Sequence, residues 1–169
     1  MTSKENNVMR EIILEKVVLS VGGTADSLEK GVKLLKLITG RSPAKMQSSK
    51  RIPAFGVRPQ LEVGAVVTVR KGLNDFLKRL LSALDNTLKK KQISENSFTF
   101  GIKEYIEIPG LDYQRDIGVR GLDVTVSFKR AGRRVKLKKI KRGKVAKKQN
   151  IPSSEIIKYM EEHFKTKFV

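Results

Sequence analysis

The sequence lacks the features on which secreted, membrane-spanning and thiol-dependent proteins rely. It contains no cysteine, which excludes a disulfide framework, a cysteine zinc site and a thiol nucleophile. It has no run of about 18 consecutive apolar residues, the length that a membrane-spanning helix needs. Residues 1–7 are polar and contain no hydrophobic signal core. We therefore expect a soluble intracellular protein with no membrane partner.

Residues suited to catalysis are also scarce. His163 is the only histidine, and its glutamate and lysine neighbours make a surface position the simplest interpretation. The motifs H-E-x-x-H, G-x-S-x-G and G-x-x-x-x-G-K-[ST] are absent. The acid-rich tract around Asp112, Asp116 and Asp123 is interleaved with lysine and arginine, so salt bridges explain it more simply than a metal site. We predict no enzyme, no cofactor and no metal.

Positive charge is abundant and concentrated in one segment. The chain has 36 Lys and Arg against 17 Asp and Glu, a net charge of +19 and a pI near 10.3, as expected of a nucleic-acid binder. Residues 129–148, which we call the basic segment, contain 12 Lys and Arg and no acid. Because like charges repel, we expect this segment to be extended or disordered until an anion neutralises it. A nuclear-localisation signal or a solvated loop is the alternative.

Apolar periodicity predicts a fold that mixes strands and helices. Alternating apolar residues indicate strands at residues 63–69 and 122–128. The helix that follows the strand at residues 63–69, the second helix of the chain, should be capped by Asn74. Its apolar stripe comprises Leu77, Leu80, Leu81, Leu84 and Leu88.

The predicted order of elements is strand, helix, strand, strand, helix, strand, strand, helix. This order favours an α+β fold, with an antiparallel or mixed sheet, helices packed on one face and an extended basic loop. The other face of the sheet would be free for RNA. We expect one domain over residues 1–169, with the basic segment at 129–148 and a C-terminal helix at about 153–165.

Three groups of short motifs resemble one family. The first joins Met9-Arg10-Glu11 to Val21-Gly22, and the second combines residues 39–43, 55–58 and 67–70. The third combines residues 100–106, 112–113, 117–118 and 120–123. Together, in this order and spacing, they resemble the universal large-subunit ribosomal protein five family, called protein eleven in eukaryotic naming. The resemblance runs from about residue 8 to the C-terminus and favours the eukaryotic and archaeal branch.

The resemblance implies a structural role in the ribosome. Members of this family bind 5S ribosomal RNA (rRNA) in the central protuberance and contact large-subunit rRNA, peptidyl-site transfer RNA (tRNA), neighbouring ribosomal proteins and the small-subunit head. It implies no homo-oligomer, a location in cytoplasmic ribosomes, and passage through the nucleolus during assembly in a eukaryote. An additional regulatory interaction role off the ribosome is the alternative.

The resemblance and side-chain chemistry together nominate three groups of residues. The RNA-binding group is Arg41, Lys45, Gln47, Thr68 and Arg70. The tRNA-side loop contains Lys50, Arg51, Phe55 and Arg58. The rRNA-binding cations of the basic segment are Arg133, Arg134, Lys136, Lys138, Lys139, Lys141, Arg142, Lys144, Lys147 and Lys148. Arginine forks suit phosphate, and a threonine hydroxyl can donate to and accept from RNA.

A few of the nominated positions depart from the family pattern. Arg41 stands where relatives usually have glutamine, and Val18 stands where they often have asparagine. Residues 47–49 (Gln-Ser-Ser) replace a usual Lys-Ala-Arg. Phe55 could stack on a base or pack its loop onto the body of the protein, and the sequence leaves both open.

Overall fold

The computed structural model describes residues 7–169, and residues 1–6, which include most of the polar start of the chain, lie outside the described residues. Between residues 7 and 169 the helices are α1 (Asp26–Thr39), α2 (Leu73–Ser82), α3 (Arg134–Leu137) and α4 (Ser153–Phe164). The strands of the same region are β1 (Ile13–Gly22), β2 (Ala44–Gln47), β3 (Glu62–Val69), β4 (Thr87–Leu88), β5 (Ile93–Ser94), β6 (Ser97–Ile102), β7 (Leu122–Lys129) and β8 (Lys167–Phe168). No helix in this described part is long and apolar enough to cross a membrane.

Six of these strands form one sheet in the order β2-β3-β1-β7-β6-β5. The neighbours β1 and β3, β2 and β3, and β5 and β6 pair antiparallel, while β4 and β8 form a separate parallel pair. Helix α1 packs against β3. The predicted α+β fold with an antiparallel or mixed sheet is confirmed.

The described residues group into two compact units. We call residues 17–85 and 100–125 the central unit, and residues 7–16, 86–99 and 126–169 the terminal unit. The chain passes from one unit to the other at four places: within β1, between Asp85 and Asn86, within β6 and within β7. The expectation of a single domain is not decided by this grouping and stays a prediction.

In the central unit, strand alternation builds the core as the sequence predicts. Ala65, Val67 and Val69 of β3 are buried, whereas the residues between them are only half-buried. Helix α1 ends at Gly40, whose φ of 65° lies in the left-handed region and whose N–H donates to the Lys36 carbonyl at 2.8 Å. Strand β3 therefore has one buried apolar face and one half-buried face that includes Glu62 and Thr68.

The second helix is shorter than its apolar stripe predicts. Helix α2 ends at Ser82, and Asn74 lies inside it, since Gly72 occupies the N-cap position. Asp85 and Asn86 adopt positive φ angles of 49° and 54°, which reverse the chain and cannot continue a helix. Leu84 and Leu88 consequently lie beyond the helix, and Leu88 is buried in β4 instead.

Aromatic stacking forms the core of the terminal unit. The rings of Phe98 and Phe128 stack with centroids 5.8 Å apart, and the edge of Tyr159 meets Phe128 at 5.6 Å. Ile156, Met160 and Phe164 form the buried face of α4. The basic segment begins and ends beside this core, within the same unit.

Asn96 closes the base of the basic segment. Its carbonyl accepts from the Phe128 N–H at 2.8 Å, and its own N–H donates to the Ile151 carbonyl at 3.1 Å. Its side-chain oxygen also accepts from the Ile151 N–H at 2.9 Å. The backbone leaves the core at Phe128 and returns at Ile151, so one turn residue, Asn96, holds both ends of the loop between them. We call this hydrogen-bonded arrangement of Asn96, Phe128 and Ile151 the closed base of the basic segment.

We predict that Asn96→Gly destabilises the protein while Asn96→Asp does not. Glycine suits the positive φ of 61° but leaves the N–H of the fully buried Ile151 without its side-chain acceptor. Such a loss costs about 1–3 kcal/mol. Urea unfolding of both variants measures it. A free energy of unfolding equal to wild type in Asn96→Gly would show that this bond does not hold the base.

Candidate nucleic-acid interface

The first predicted group lies at one edge of the sheet in the central unit. The turn after Gly40 brings Arg41 to β3, where its Nη1 donates to the Thr68 carbonyl at 3.3 Å. Thr68 is paired across the ladder with Val18 of β1. The Thr68 hydroxyl is not involved in the Arg41 contact. Two departures from the family pattern, Val18 and Arg41, therefore adjoin the retained threonine.

The edge strand β2 carries two more predicted contacts. Its four residues are all exposed, and it lies at the end of the sheet order. Lys45 Nζ lies 2.8 Å from a Glu62 carboxylate oxygen, and this hydrogen bond and charge raise the pKa of Lys45. Gln47 pairs with Glu62 after a bulge in β2. An RNA phosphate at Lys45 would compete with an existing, solvent-exposed partner.

Arg70 completes this group. It follows the last residue of β3, and its side chain is exposed. Of the five predicted residues, the structure joins Arg41 directly to Thr68, and Arg70 lies two residues further along the same chain segment. Lys45 and Gln47 lie on the adjoining edge strand.

The predicted tRNA-side loop is an ordered hairpin. Ser48 and Leu61 close it with a hydrogen bond of 2.9 Å, and Ile52 and Val57 exchange two backbone bonds of 2.9 and 3.1 Å. A short 3-10 turn, Pro53–Phe55, forms the tip. The Phe55 side chain there is 78% exposed, so it does not pack the loop onto the body.

The three predicted cations of this loop flank the tip. Lys50, Arg51 and Arg58 are all exposed. With Phe55 they present one aromatic ring and three positive charges on a hydrogen-bonded support, a combination suited to stacking and phosphate contact.

The basic segment lies in the terminal unit and has little regular structure. Its short elements are the single helical turn α3 and a 3-10 turn at Lys147–Gln149. Nine of its twelve cations are exposed: Arg134, Lys136, Lys138, Lys139, Lys141, Arg142, Lys144, Lys147 and Lys148. The remaining three are half-buried near its start.

Two of these half-buried cations hold the segment to the core. Arg130 forms an ion pair with Glu155 of α4 and donates to the Lys148 carbonyl at 3.2 Å, with only 9% of its side chain exposed. Arg133 Nη1 donates to Glu15 at 2.6 Å and to the Phe128 carbonyl at 3.2 Å. Arg133, predicted as an RNA contact, thus has partners within the protein, while 39% of its side chain stays exposed.

One cleft beside this base is lined by cations that have no ion-pair partner among the described residues. A cleft of about 850 Å³ is lined by the cations Arg10, Lys147 and Lys148, and none of these three forms an ion pair with another described residue. Of the two acids that line it, Glu155 pairs with Arg130, while Glu95 accepts from the uncharged Asn150 amide at 3.2 Å and keeps its negative charge, so the cations are in excess. The arrangement can accommodate an anionic phosphate.

Two residues that hold the basic segment, Asn96 and Arg130, could not be identified from the sequence. Asn96 stands in a turn between two strands, where positive φ favours asparagine, but its partner Ile151 is 55 residues away. Arg130 is visible only as one more cation of the segment. Its pairing with Glu155 has no signal in the sequence.

The structure offers little chemistry beyond binding. His163 is exposed on α4, its ring 4.3 Å from the Tyr159 ring, and burial together with the charge of Glu11 raises the pKa of Tyr159. Within residues 7–169, no group of three or more histidine and carboxylate side chains is arranged to hold a metal ion. The Asp112 tract forms no salt bridges with its neighbouring cations in this described range, and Arg120 donates to Ser27 instead.

Two family models match nearly the whole chain. Residues 7–58 match the model described as ribosomal protein L5, and residues 62–153 match the model of the C-terminus of the ribosomal L5 family. Proteins of the ribosomal L5 family are structural and not enzymes, in agreement with the prediction that the chain is not an enzyme.

Relatives from archaea are similar over almost their full length. The large ribosomal subunit protein uL5 of Nanoarchaeum equitans is 39% identical over 91% of this chain and 94% of its own. That of Archaeoglobus fulgidus is 38% identical over 92% of this chain and 89% of its own, and that of Picrophilus torridus is 34% identical over 100% and 99%. The chain therefore belongs to the ribosomal protein L5 family, whose members are structural constituents of the large ribosomal subunit.

Proposed function

We propose that this ribosomal protein binds 5S rRNA and anchors it in the central protuberance of the large subunit. The observation that carries the proposal is the basic segment: twelve cations and no acid, mounted on a closed base in a member of this family. Large-subunit rRNA is the second ligand in the proposal, and peptidyl-site tRNA is the third.

The basic segment contributes affinity through phosphate contacts. Each neutralised phosphate releases condensed counterions, which favours binding most strongly at low salt. Nine exposed cations are available for such contacts. Because Asn96 fixes both ends of the loop, less chain entropy is lost when RNA orders the rest of it.

The sheet edge contributes recognition. RNA helices display 2′-hydroxyls and phosphates, which the Thr68 hydroxyl and the Arg41 guanidinium can bind side by side. The hairpin tip would stack Phe55 on a tRNA base, with Lys50, Arg51 and Arg58 on phosphates. Neighbouring proteins of the central protuberance and the small-subunit head belong to the same proposal, as does nucleolar assembly in a eukaryotic cell.

The direct test compares 5S rRNA with an unrelated structured RNA of equal length. We expect binding of 5S rRNA to persist at near-physiological salt while the control RNA dissociates, because specific contacts add to the electrostatic ones. Filter binding or fluorescence anisotropy at two salt concentrations measures both affinities. Equal loss of both complexes would mean that the charge acts nonspecifically, and the proposal would fail.

Removing charge from the outer part of the basic segment should flatten the salt dependence. Changing Lys138, Lys139, Lys141 and Arg142 to Gln should weaken RNA binding and reduce the log–log salt slope by about 0.7–0.9 for each phosphate that the variant no longer neutralises. A control variant removes four exposed charges from α1 and α2, at Lys30, Lys33, Lys36 and Lys78. Equal slopes in the two variants would show that net charge, and not the segment, governs binding.

Thr68→Val should lower 5S affinity without unfolding the protein. Valine suits a strand but offers no hydroxyl, so an RNA group would lose its partner. We expect a loss of about tenfold, or roughly 1.4 kcal/mol, and recovery in Thr68→Ser, which retains the hydroxyl. Affinity that is unchanged in Thr68→Val would remove this residue from the interface.

A further inference from the structure

We propose that Arg130 is a positioning residue for RNA binding, and that Glu155 strengthens the binding of an anionic ligand by holding Arg130 in place. The inference rests on the proposed RNA-binding function and deepens it. It concerns an acid on a strongly basic protein, where simple charge counting predicts the opposite effect.

The geometry of Arg130 joins the two ends of the basic segment. Arg130 follows the last residue of β7, at the start of the segment, and its Nη1 reaches the carbonyl of Lys148, at the end of it. Its Nη2 pairs with Glu155 in the first turn of α4. One guanidinium therefore fixes both ends of the segment to a helix of the terminal unit.

The position of the Arg130 side chain depends on the negative charge of Glu155. An arginine side chain that is only 9% exposed is costly unless its charge is paired. The Nε of Arg130 is buried and has no hydrogen-bond partner among the described residues 7–169, so the two terminal nitrogens of the guanidinium make its hydrogen bonds there. Without the Glu155 charge, the buried guanidinium is uncompensated and gains by turning to solvent, which breaks its bond to Lys148.

The residues that Arg130 positions are themselves cations of a cleft. Lys147 and Lys148 line the cleft of about 850 Å³ together with Arg10 and Arg130. While the Lys148 carbonyl is held, these charges converge on one space. If the Lys148 carbonyl is released, Lys147 and Lys148 are no longer held beside the other cations. Binding an RNA phosphate must then order these two lysines, at an entropic cost.

Two explanations of Glu155 thus predict effects of opposite sign. If Glu155 acts only through its charge, removing it makes the surface more positive and tightens RNA binding. If it holds Arg130, removing its charge weakens binding although the net charge rises.

The experiment compares Glu155→Gln with Glu162→Gln in the full-length protein. Glu162 is an exposed acid on the same helix and forms no ion pair with any other described residue. We expect Glu155→Gln to weaken 5S rRNA binding about five- to tenfold, and Glu162→Gln to bind equally or slightly more tightly. Circular dichroism and the thermal midpoint confirm that both variants are folded.

Arg130→Lys provides a second variant at unchanged net charge. Lysine has one nitrogen and cannot bridge Glu155 and the Lys148 carbonyl with a planar fork, so we expect weaker RNA binding here as well. Charge alone predicts no change. This variant decides the question even if Glu155→Gln fails to fold.

A double-mutant cycle separates positioning from a general loss of stability. The effect of Glu155→Gln should be non-additive with the loss of Lys147 and Lys148, changed together to Gln, because the acid acts through them. It should be additive with Arg51→Gln in the central unit. Additivity in both cycles would contradict the positioning role.

The outcomes also separate this inference from the proposed function. Tighter or unchanged binding in Glu155→Gln and Arg130→Lys overturns the inference while 5S recognition by the wild type still stands. All variants are measured on 5S and on the unrelated RNA. A wild type with no preference for 5S counts against the proposed function, and the sign of the Glu155→Gln effect still decides the inference.

Discussion

The closed base of the basic segment is the constraint on which the rest of the interface depends. A run of twelve cations cannot fold by itself, because its charges repel and it has few apolar residues to bury. In this protein the basic segment is held by contacts at its two ends. Three hydrogen bonds at Asn96 fix Phe128 and Ile151, and two arginines of the segment are paired with Glu15 and Glu155. Nine of the other ten cations are exposed.

Acids therefore have a constructive role on this basic surface. Each arginine at the base has an acidic partner and also donates to a backbone carbonyl, so the same side chains that neutralise charge also position the chain. In the central unit, Glu62 pairs with Lys45 at the sheet edge, but there both side chains are largely exposed. A surface pair of this kind contributes little to stability.

Local patterns in the sequence predict much of the fold, because alternation and helical spacing are local. The buried residues of β3 and β7 follow directly from their alternation. The end of α2 is not predictable in this way, because the left-handed conformations of Asp85 and Asn86 interrupt an apolar stripe that continues beyond them. The concentration of positive charge at residues 129–148 can also be recognised from the sequence alone.

Long-range pairings are what the sequence cannot provide. Arg133 meets Glu15 across 118 residues, and Ile151 meets Asn96 across 55. Composition does not distinguish Arg133 from the other cations of its segment, and only the structure shows that it also pairs with Glu15. At the sheet edge, the family pattern identifies Thr68, but only the register places it opposite Val18 and only the fold brings Arg41 to it.

The most direct test of the closed base is amide hydrogen exchange, measured by NMR in the free protein and again with 5S rRNA. We expect the amides of Phe128 and Ile151 to be protected without RNA, exchanging about a hundredfold or more slowly than that of Lys139. The Lys139 amide should become protected only when RNA is added. If Phe128 and Ile151 exchange as fast as Lys139 in the free protein, the base is not formed before RNA binds, and the preorganised interface is contradicted.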